Sequence, residues 1–220
     1  MTGTDRPSKN HGPRVFLIRH ADSSGGPKDP DRGGPLSALG RRQAQALARR
    51  IAHWQVDAIF CSEMHRTVET ANAVHAYHPQ VPLHVDASLR ELSPRKIAAY
   101  EAHDPAQSDL VARMEVAWQM IVTMPYEVAV VIIHNGLIKY LLGRTIDYGP
   151  SLKPRFHSSH TGITALQVRT NGRALVQFFN DTHHLTPDLA TAHKSPWIED
   201  PATGHWRFLV ETDEEPQGDD

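Results

Sequence analysis

Apolar residues fall in short runs separated by amphipathic stretches, and two periods alternate along the chain. Val15-Phe16-Leu17-Ile18 is an unbroken apolar run between arginines, the pattern of a strand covered on both faces. Residues 57–61 and 83–85 read as further short strands, and 128–133, six apolar residues in succession, is the strongest strand signal in the chain. Helical spacing lies between them. Ser37 is placed to cap a helix in which Leu39, Ala44, Leu47, Ala48 and Ile51 recur near a 3.6-residue period. Residues 67–75 and 137–142 read as helices, and 97–124 as one or two helices broken near Pro105. Late in the chain, strands over 161–168 and 173–179 flank Asn171-Gly172, a strong hairpin turn. Glycine and proline mark 21–35 as a loop, and 145–160 reads as another.

Strands alternating with helices predict an α/β fold, a three-layer αβα sandwich whose mostly parallel central sheet carries an antiparallel edge strand. Residues 1–13 read as a flexible tail, 14–189 as a single catalytic domain, and 190–220 as a C-terminal extension with an acidic end predicted to be disordered. In such sheets ligands bind beyond the carboxyl ends of the strands.

Composition narrows the function classes. A chain of 220 residues, 40% apolar and 22% charged, suits a soluble domain with a full core. The net charge of −2 gives no global field toward nucleic acid or membrane, so neither is an expected partner. Cys61 is alone, which excludes an internal disulfide and suits a reducing compartment. No stretch approaches the ~18 apolar residues of a membrane helix, and the first residues lack the apolar core of a secretory signal. The expected location is the cytoplasm, and nothing in the sequence speaks to oligomeric state.

Chemistry gathers where the strands end. Arg19-His20 follows the first strand, Cys61-Ser62-Glu63-Met64-His65-Arg66 the second, and His134 the strongest. Arginine is permanently charged and forks onto two phosphate oxygens, and imidazole attacks when neutral or donates when charged. Two of each at one sheet edge suit a phosphoryl dianion. The alternative is that both arginines cap the sheet against carboxylates and His20 is a loop residue. His75-x-x-His78 and His157-x-x-His160 have metal-ligand spacing, but neither has a patterned carboxylate or cysteine beside it, so no metal is expected. His157 and His160, with Lys153 and Arg155, instead suit a loop that meets an anionic substrate.

Phe16-Leu17-Ile18-Arg19-His20-Ala21-Asp22-Ser23 resembles the Arg-His-Gly signature of the histidine phosphatase superfamily, the phosphoglycerate mutase-like fold, in its phosphatase branch. Ser62-Glu63-Met64-His65-Arg66-Thr67-Val68-Glu69-Thr70-Ala71 is similar to the family's second motif, Leu89-Arg90-Glu91-Leu92 to its acidic stretch, and Val130-Val131-Ile132-Ile133-His134-Asn135-Gly136 to its second histidine motif. Leu36-Ser37-Ala38-Leu39-Gly40 and Phe179-Asn180-Asp181-Thr182-His183-His184 are also similar to family stretches, so the resemblance spans roughly residues 15–186. It implies that His20 is phosphorylated and then hydrolysed, and that Arg19, Arg66 and His134 hold the phosphoryl oxygens. Glu91 would protonate the leaving oxygen and then deprotonate water. No cofactor or metal is implied. The implied substrate is a small phosphorylated molecule, with a phosphoprotein as an alternative, and Ser23, Lys28, Asn135, Arg155 and His160 are candidate substrate contacts. The competing readings are a phosphoglycerate-type mutase and a non-catalytic module that binds phosphorylated ligands. Short loops after Glu91 leave the site open to water and favour hydrolysis.

Three positions depart from the family pattern. Ala21 stands where glycine follows the histidine, and is strained if the loop needs a positive φ there. Gly26 stands where many members carry an asparagine, with Lys28 and Arg32 nearby as alternative sources of charge. Asn135 follows His134 where glycine is common, and brings an amide toward the pocket.

Overall fold

The structure, a computed structural model, describes residues 11–23, 32–91, 108–145, 157–191, 197–199 and 206–208. The chain divides into two compact units, residues 1–190 and 191–220. The first is built on a six-stranded sheet. Its elements are β1 (His11–Arg19), α1 (Ala38–Ile51), β2 (Ala58–Cys61), α2 (His65–His75), β3 (Leu83–Val85), a 3₁₀ turn (Ala87–Leu89), α3 (Ser108–Thr123), β4 (Val128–Ile133), α4 (Asn135–Thr145), β5 (Ile163–Arg169) and β6 (Ala174–Asp181). The strand order is β3-β2-β4-β1-β5-β6. The first four strands of that order are parallel, β5 pairs antiparallel with β1, and β6 pairs antiparallel with β5. The second unit holds β7 (Trp197–Glu199) and β8 (Trp206–Phe208), which pair antiparallel.

The apolar runs become central strands because both sheet faces are covered. Along β1 alternate side chains enter different cores. Val15 and Leu17 join Val131 and Ile133 of β4 against Met114, Trp118 and Ile121 of α3 and Leu137 and Leu141 of α4. Phe16 and Ile18 join Val130 and Ile132 against Leu47 and Ile51 of α1 and Ala71 and Val74 of α2. This is the three-layer αβα sandwich expected, with the period of two that a strand imposes.

The boundaries differ in instructive places. β1 begins at His11, inside the stretch read as a tail. There the chain pairs with β5 through a register shift between His11 and Arg14, and the Gln167 amide donates to Gly12 O at 2.8 Å. The antiparallel edge is the expected hairpin, β5 and β6, closed by the turn at Gly172, whose φ of 74° favours glycine. The β7–β8 pair carries no period in the sequence long enough to announce it. The expected helical segment 97–107, the middle of each expected loop and the acidic end lie outside the described residues. Among the described residues no helix is long and apolar enough to cross a membrane.

Chain order and strand order disagree at β4, which returns to lie between β1 and β2. The carboxyl ends of three neighbouring parallel strands therefore open side by side. They deliver Arg19 and His20, Ser62, and His134 to one edge.

Candidate active site

His20 extends the β1–β4 ladder by one residue, its N–H donating to Ile133 O at 2.9 Å. The chain then turns across α1 and α2. Ala21 N donates to Thr70 Oγ1 at 3.1 Å and Asp22 N to Gln43 Oε1 at 2.9 Å. Ser37 N in turn donates to Asp22 O at 3.0 Å, while the Ser37 hydroxyl caps α1 at Gly40 N and also meets the Asp22 carboxylate. Ala21 is not strained here. Among the described residues only Thr161 and Asn180 combine a side chain with positive φ. Ala21 is fully buried against Leu36 and Ala44, and its methyl fills a small core of its own.

Four sequence-identified side chains converge. His20 Nδ1 lies 2.7 Å from Ala21 O, so Nδ1 carries the proton and Nε2 presents a lone pair. Arg66 Nε donates to that lone pair at 3.0 Å, and Arg66 Nη2 reaches His134 Nδ1 at 3.2 Å. The two imidazoles stand edge to face with centroids 5.1 Å apart. Arg19 Nη1 donates to Ser158 O at 2.7 Å, and Arg19 Nε is buried without a hydrogen-bond partner among the described residues. Such an orphaned donor costs roughly 1–3 kcal/mol until an acceptor meets it. Burial above all, then the charges of His134 and Arg66, pushes His20 well below the ordinary histidine range. Burial, then Arg66 and Arg19, does the same to His134. Both rings are therefore neutral near pH 7.

Glu91 joins them. Its Oε1 accepts from Gly136 N, in the first turn of α4, at 3.2 Å, and its Oε2 lies 3.8 Å from His134 Nδ1. Its side chain is 27% exposed and open to water. Arg113 on α3 straps down the chain that carries it, donating to Ser88 O at 3.0 Å, Arg90 O at 2.6 Å and Glu91 O at 3.4 Å.

The turn before β5 forms another wall. Asn135 Oδ1 accepts from Ser158 N at 3.1 Å, and Asn180 Oδ1 from Ser159 N at 2.8 Å. Thr161, at φ 56°, is a β-branched residue in the left-handed region, which only a well-determined surrounding holds in place. The result sets the His160 ring 5.5 Å from His20, with its Nδ1 3.9 Å from Asp22 Oδ1. Of the candidate substrate contacts, His160 therefore stands in the site. Asn135 uses its amide oxygen to hold the turn, which leaves its amide NH2 as the group that could meet a substrate. Ser23 is half-buried beyond the His20 turn. Lys28, Arg155 and the Gly26 position lie outside the described residues.

Lys139, one helical turn after Asn135 on α4, carries no signal in the sequence. Burial lowers its pKa, while Glu91 raises it and Arg19 lowers it, so its ammonium shares the field of the site. The other histidine pair is structural, because His75 Nε2 meets Val81 O at 2.9 Å and His78 Nε2 meets Ile51 O at 3.1 Å. Cys61 is buried, and its thiol is pushed up to about 12 by burial and Glu63, so it is no nucleophile. His20, Glu91 and His134 offer ligand atoms within 4.8 Å of one another. Yet Arg66, Arg19, Arg113 and Arg90 all bear on His134, a field that repels a dication and attracts an oxyanion.

The sequence profile of the histidine phosphatase superfamily, branch 1, matches residues 15–104 and 96–181. The chain belongs to the histidine phosphatase superfamily. It is 27% identical over 192 residues to the mitochondrial serine/threonine-protein phosphatase PGAM5 of Rattus norvegicus, a match that covers 80% of this chain and 65% of the rat protein. Among solved structures it resembles YhfR of Bacillus stearothermophilus, at 22% identity and a TM-score of 0.65, covering 79% of this chain and 99% of that one. It also resembles a phosphoserine phosphatase variant of Entamoeba histolytica in complex with phosphoserine, at 20% identity and a TM-score of 0.63, covering 80% and all of the two chains. At these identities the solved structures establish the fold that this member shares with them.

Proposed function

We propose that the protein is a phosphatase that hydrolyses phosphate monoesters through a phosphohistidine on His20, without a metal. The observation that carries this reading is the fixed tautomer of His20. Ala21 O holds the proton on Nδ1, and the Nε2 lone pair faces Arg66 beside Arg19 and His134. A neutral, buried imidazole with a directed lone pair is a nucleophile, and the cations around it suit the oxygens of the group it attacks.

In the first step Nε2 bonds to phosphorus as the ester P–O bond breaks, and Glu91 gives a proton to the leaving oxygen. In the second, water attacks phosphorus, Glu91 takes its proton, and the N–P bond breaks to return the imidazole and inorganic phosphate. Arg66, which now bonds both rings, turns onto the phosphoryl oxygens. The rat relative is named a serine/threonine-protein phosphatase and the Entamoeba protein a phosphoserine phosphatase, which supports phosphoseryl groups, free or in a protein, as substrates. The lone Cys61 supports a reducing location such as the cytoplasm.

Rapid quench during turnover of a phosphate ester tests this. Wild type should carry acid-labile, alkali-stable phosphate, and His20→Ala should carry none and retain less than about a hundredth of the rate. Turnover should survive EDTA. A His20→Ala variant that keeps its rate, or an EDTA loss restored by zinc or magnesium, overturns the covalent or the metal-free part respectively.

A further inference from the structure

Behind His134 lies a fully buried chain of hydroxyls that the proposed chemistry does not use directly. Ser62 Oγ is 2.8 Å from His134 Nε2 and 2.7 Å from Thr67 Oγ1, and accepts from Met64 N at 3.4 Å. Thr67 Oγ1 is also 2.7 Å from Met64 O and 2.9 Å from Ser62 O. Ser62, Thr67 and His134 are each 0% exposed, so bulk water does not compete for these contacts.

The protons can be assigned by elimination. Carbonyl oxygens only accept, so the single Thr67 hydroxyl proton goes to Met64 O or Ser62 O. Thr67 Oγ1 is then the acceptor in its contact with Ser62, which takes the Ser62 proton. With that proton committed, Ser62 Oγ meets His134 Nε2 as an acceptor, and Nε2 must carry the hydrogen. The other side of the ring requires the same. A guanidinium has donors only, so Arg66 Nη2 at 3.2 Å needs a lone pair on His134 Nδ1.

We propose that Ser62 and Thr67 are positioning residues that lock His134 as the Nε2–H tautomer, so that its Nδ1 lone pair is the atom turned to Arg66, Glu91 and the phosphoryl group. The inference rests on the phosphoryl-transfer reading for its purpose, though not for its geometry. Locked in this way, the ring has one open nitrogen. When a monoanionic phosphoryl group displaces Arg66 Nη2, Nδ1 can take that group's proton and hold it in a hydrogen bond to the phosphoryl oxygen, while Nε2–H stays on Ser62. The charged and titratable groups around it are His20 and Arg19 from β1, Arg66 from α2, Arg113 from α3, and Arg90 and Glu91 from the segment after the 3₁₀ turn. Burial and these arginines keep the free ring neutral, which makes its tautomer a defined quantity.

The test is long-range proton–nitrogen NMR on histidine-labelled full-length protein, with His134 assigned by the signal lost in His134→Asn. Wild type without oxyanion should show His134 protonated on Nε2 alone. Thr67→Val keeps the shape and removes the acceptor of the Ser62 proton. That proton should turn onto Nε2 and drive the ring toward Nδ1–H, where it opposes the Arg66 donor. The same variant should lose at least about tenfold in kcat, since a catalytic imidazole in the wrong tautomer can lose up to ~10⁴. Thr67→Ser, which restores the hydroxyl, should recover both signal and rate. Wild-type His134 protonated on Nδ1 overturns the proposal without any variant, as does a folded Thr67→Val with unchanged tautomer and turnover. If no phosphate ester is turned over while the tautomer shifts stand, the functional reading fails and the lock survives.

Discussion

Glu91 is the residue whose role can be isolated most sharply. Glu91→Gln preserves shape and can still accept from Gly136 N, but it cannot give up a proton. An alkyl phosphate leaves as a poor alkoxide and needs protonation, whereas a nitrophenyl phosphate leaves as a stable phenolate. General acid catalysis is typically worth roughly 10²–10⁴-fold, so the variant should lose about that much on the alkyl ester and much less on the aryl one. Arg66→Ala should injure both alike, because the phosphoryl oxygens are the same in each. Equal losses for Glu91→Gln on the two esters would remove Glu91 as the leaving-group acid. Arg19, His20, Arg66 and His134 were readable in the sequence because each follows a strand directly or sits in a patterned motif, and strand ends have one destination in this topology. Ser62 and Thr67 were visible only as motif letters, since a hydroxyl chain depends on which way each proton points. Lys139 and Arg113 were not readable at all. Their roles arise from helices that pack beside the site, and no periodicity marks a charged residue that turns inward.

At the scale of elements, two glycines fix how helices approach the site, and they should fail in different ways. Gly40 lies in the first turn of α1, where a Cβ would sit 1.9 Å from the backbone oxygen of Asp22. Alanine gains up to about 1 kcal/mol in helix propensity over glycine. That gain is smaller than the cost of parting α1 from the turn after His20, because forced overpacking typically costs about 1–3 kcal/mol. Gly40→Ala should therefore lower Tm by several degrees, at roughly 2–4 °C per kcal/mol for a chain of this size. A Tm equal to or above wild type would mean that α1 is free to slide. Gly33 has a φ of 69°, and a Cβ there would lie 2.6 Å from Arg66 Nη1, the mobile end of a side chain. Gly33→Ala should cost only about 1 kcal/mol in stability, yet displace the guanidinium and reduce kcat/KM. The helices and strands of the six-stranded unit were legible from apolar runs and period, because both sheet faces are covered and the core follows the alternation, whereas β7 and β8 were not. The ends of the elements in that unit were not legible either. β1 starts at His11 because Gln167 and β5 offer it partners far along the chain, and α4 starts at Asn135 because the turn it binds lies 23 residues on.

Two buried histidines, His20 and His134, and the half-buried His184 set how the molecule responds to pH. His20 and His134 are held well below the ordinary histidine range, chiefly by burial. His184, tied to Thr161 Oγ1 at 2.9 Å, is lowered to about 4, again by burial first. In the unfolded chain each regains a pKa near 6.5. Below that value the unfolded state binds more protons than the folded one, so stability rises with pH through this range. The histidine contribution is thus fully present above about pH 6.5 and is lost as pH falls, with the His184 share gone by about 4. The lowered carboxyl of Asp181, beside His183 and Arg50, adds a loss in the same direction only at still lower pH. Thermal unfolding followed from pH 8 to pH 4 should therefore begin to weaken near pH 6.5, well before carboxylates titrate. His184→Gln should shallow the slope between about 6.5 and 4. Sulfate, a dianion across this range, supplies the second half of the test. If it occupies the arginine pocket it favours a protonated His134, so the stabilisation from millimolar sulfate over chloride at equal ionic strength should grow as pH falls from 8 to 6. A stability that stays level from pH 7 to pH 5 would show that the buried imidazoles protonate in place without unfolding. A sulfate effect independent of pH would separate His134 from the oxyanion it is built to face.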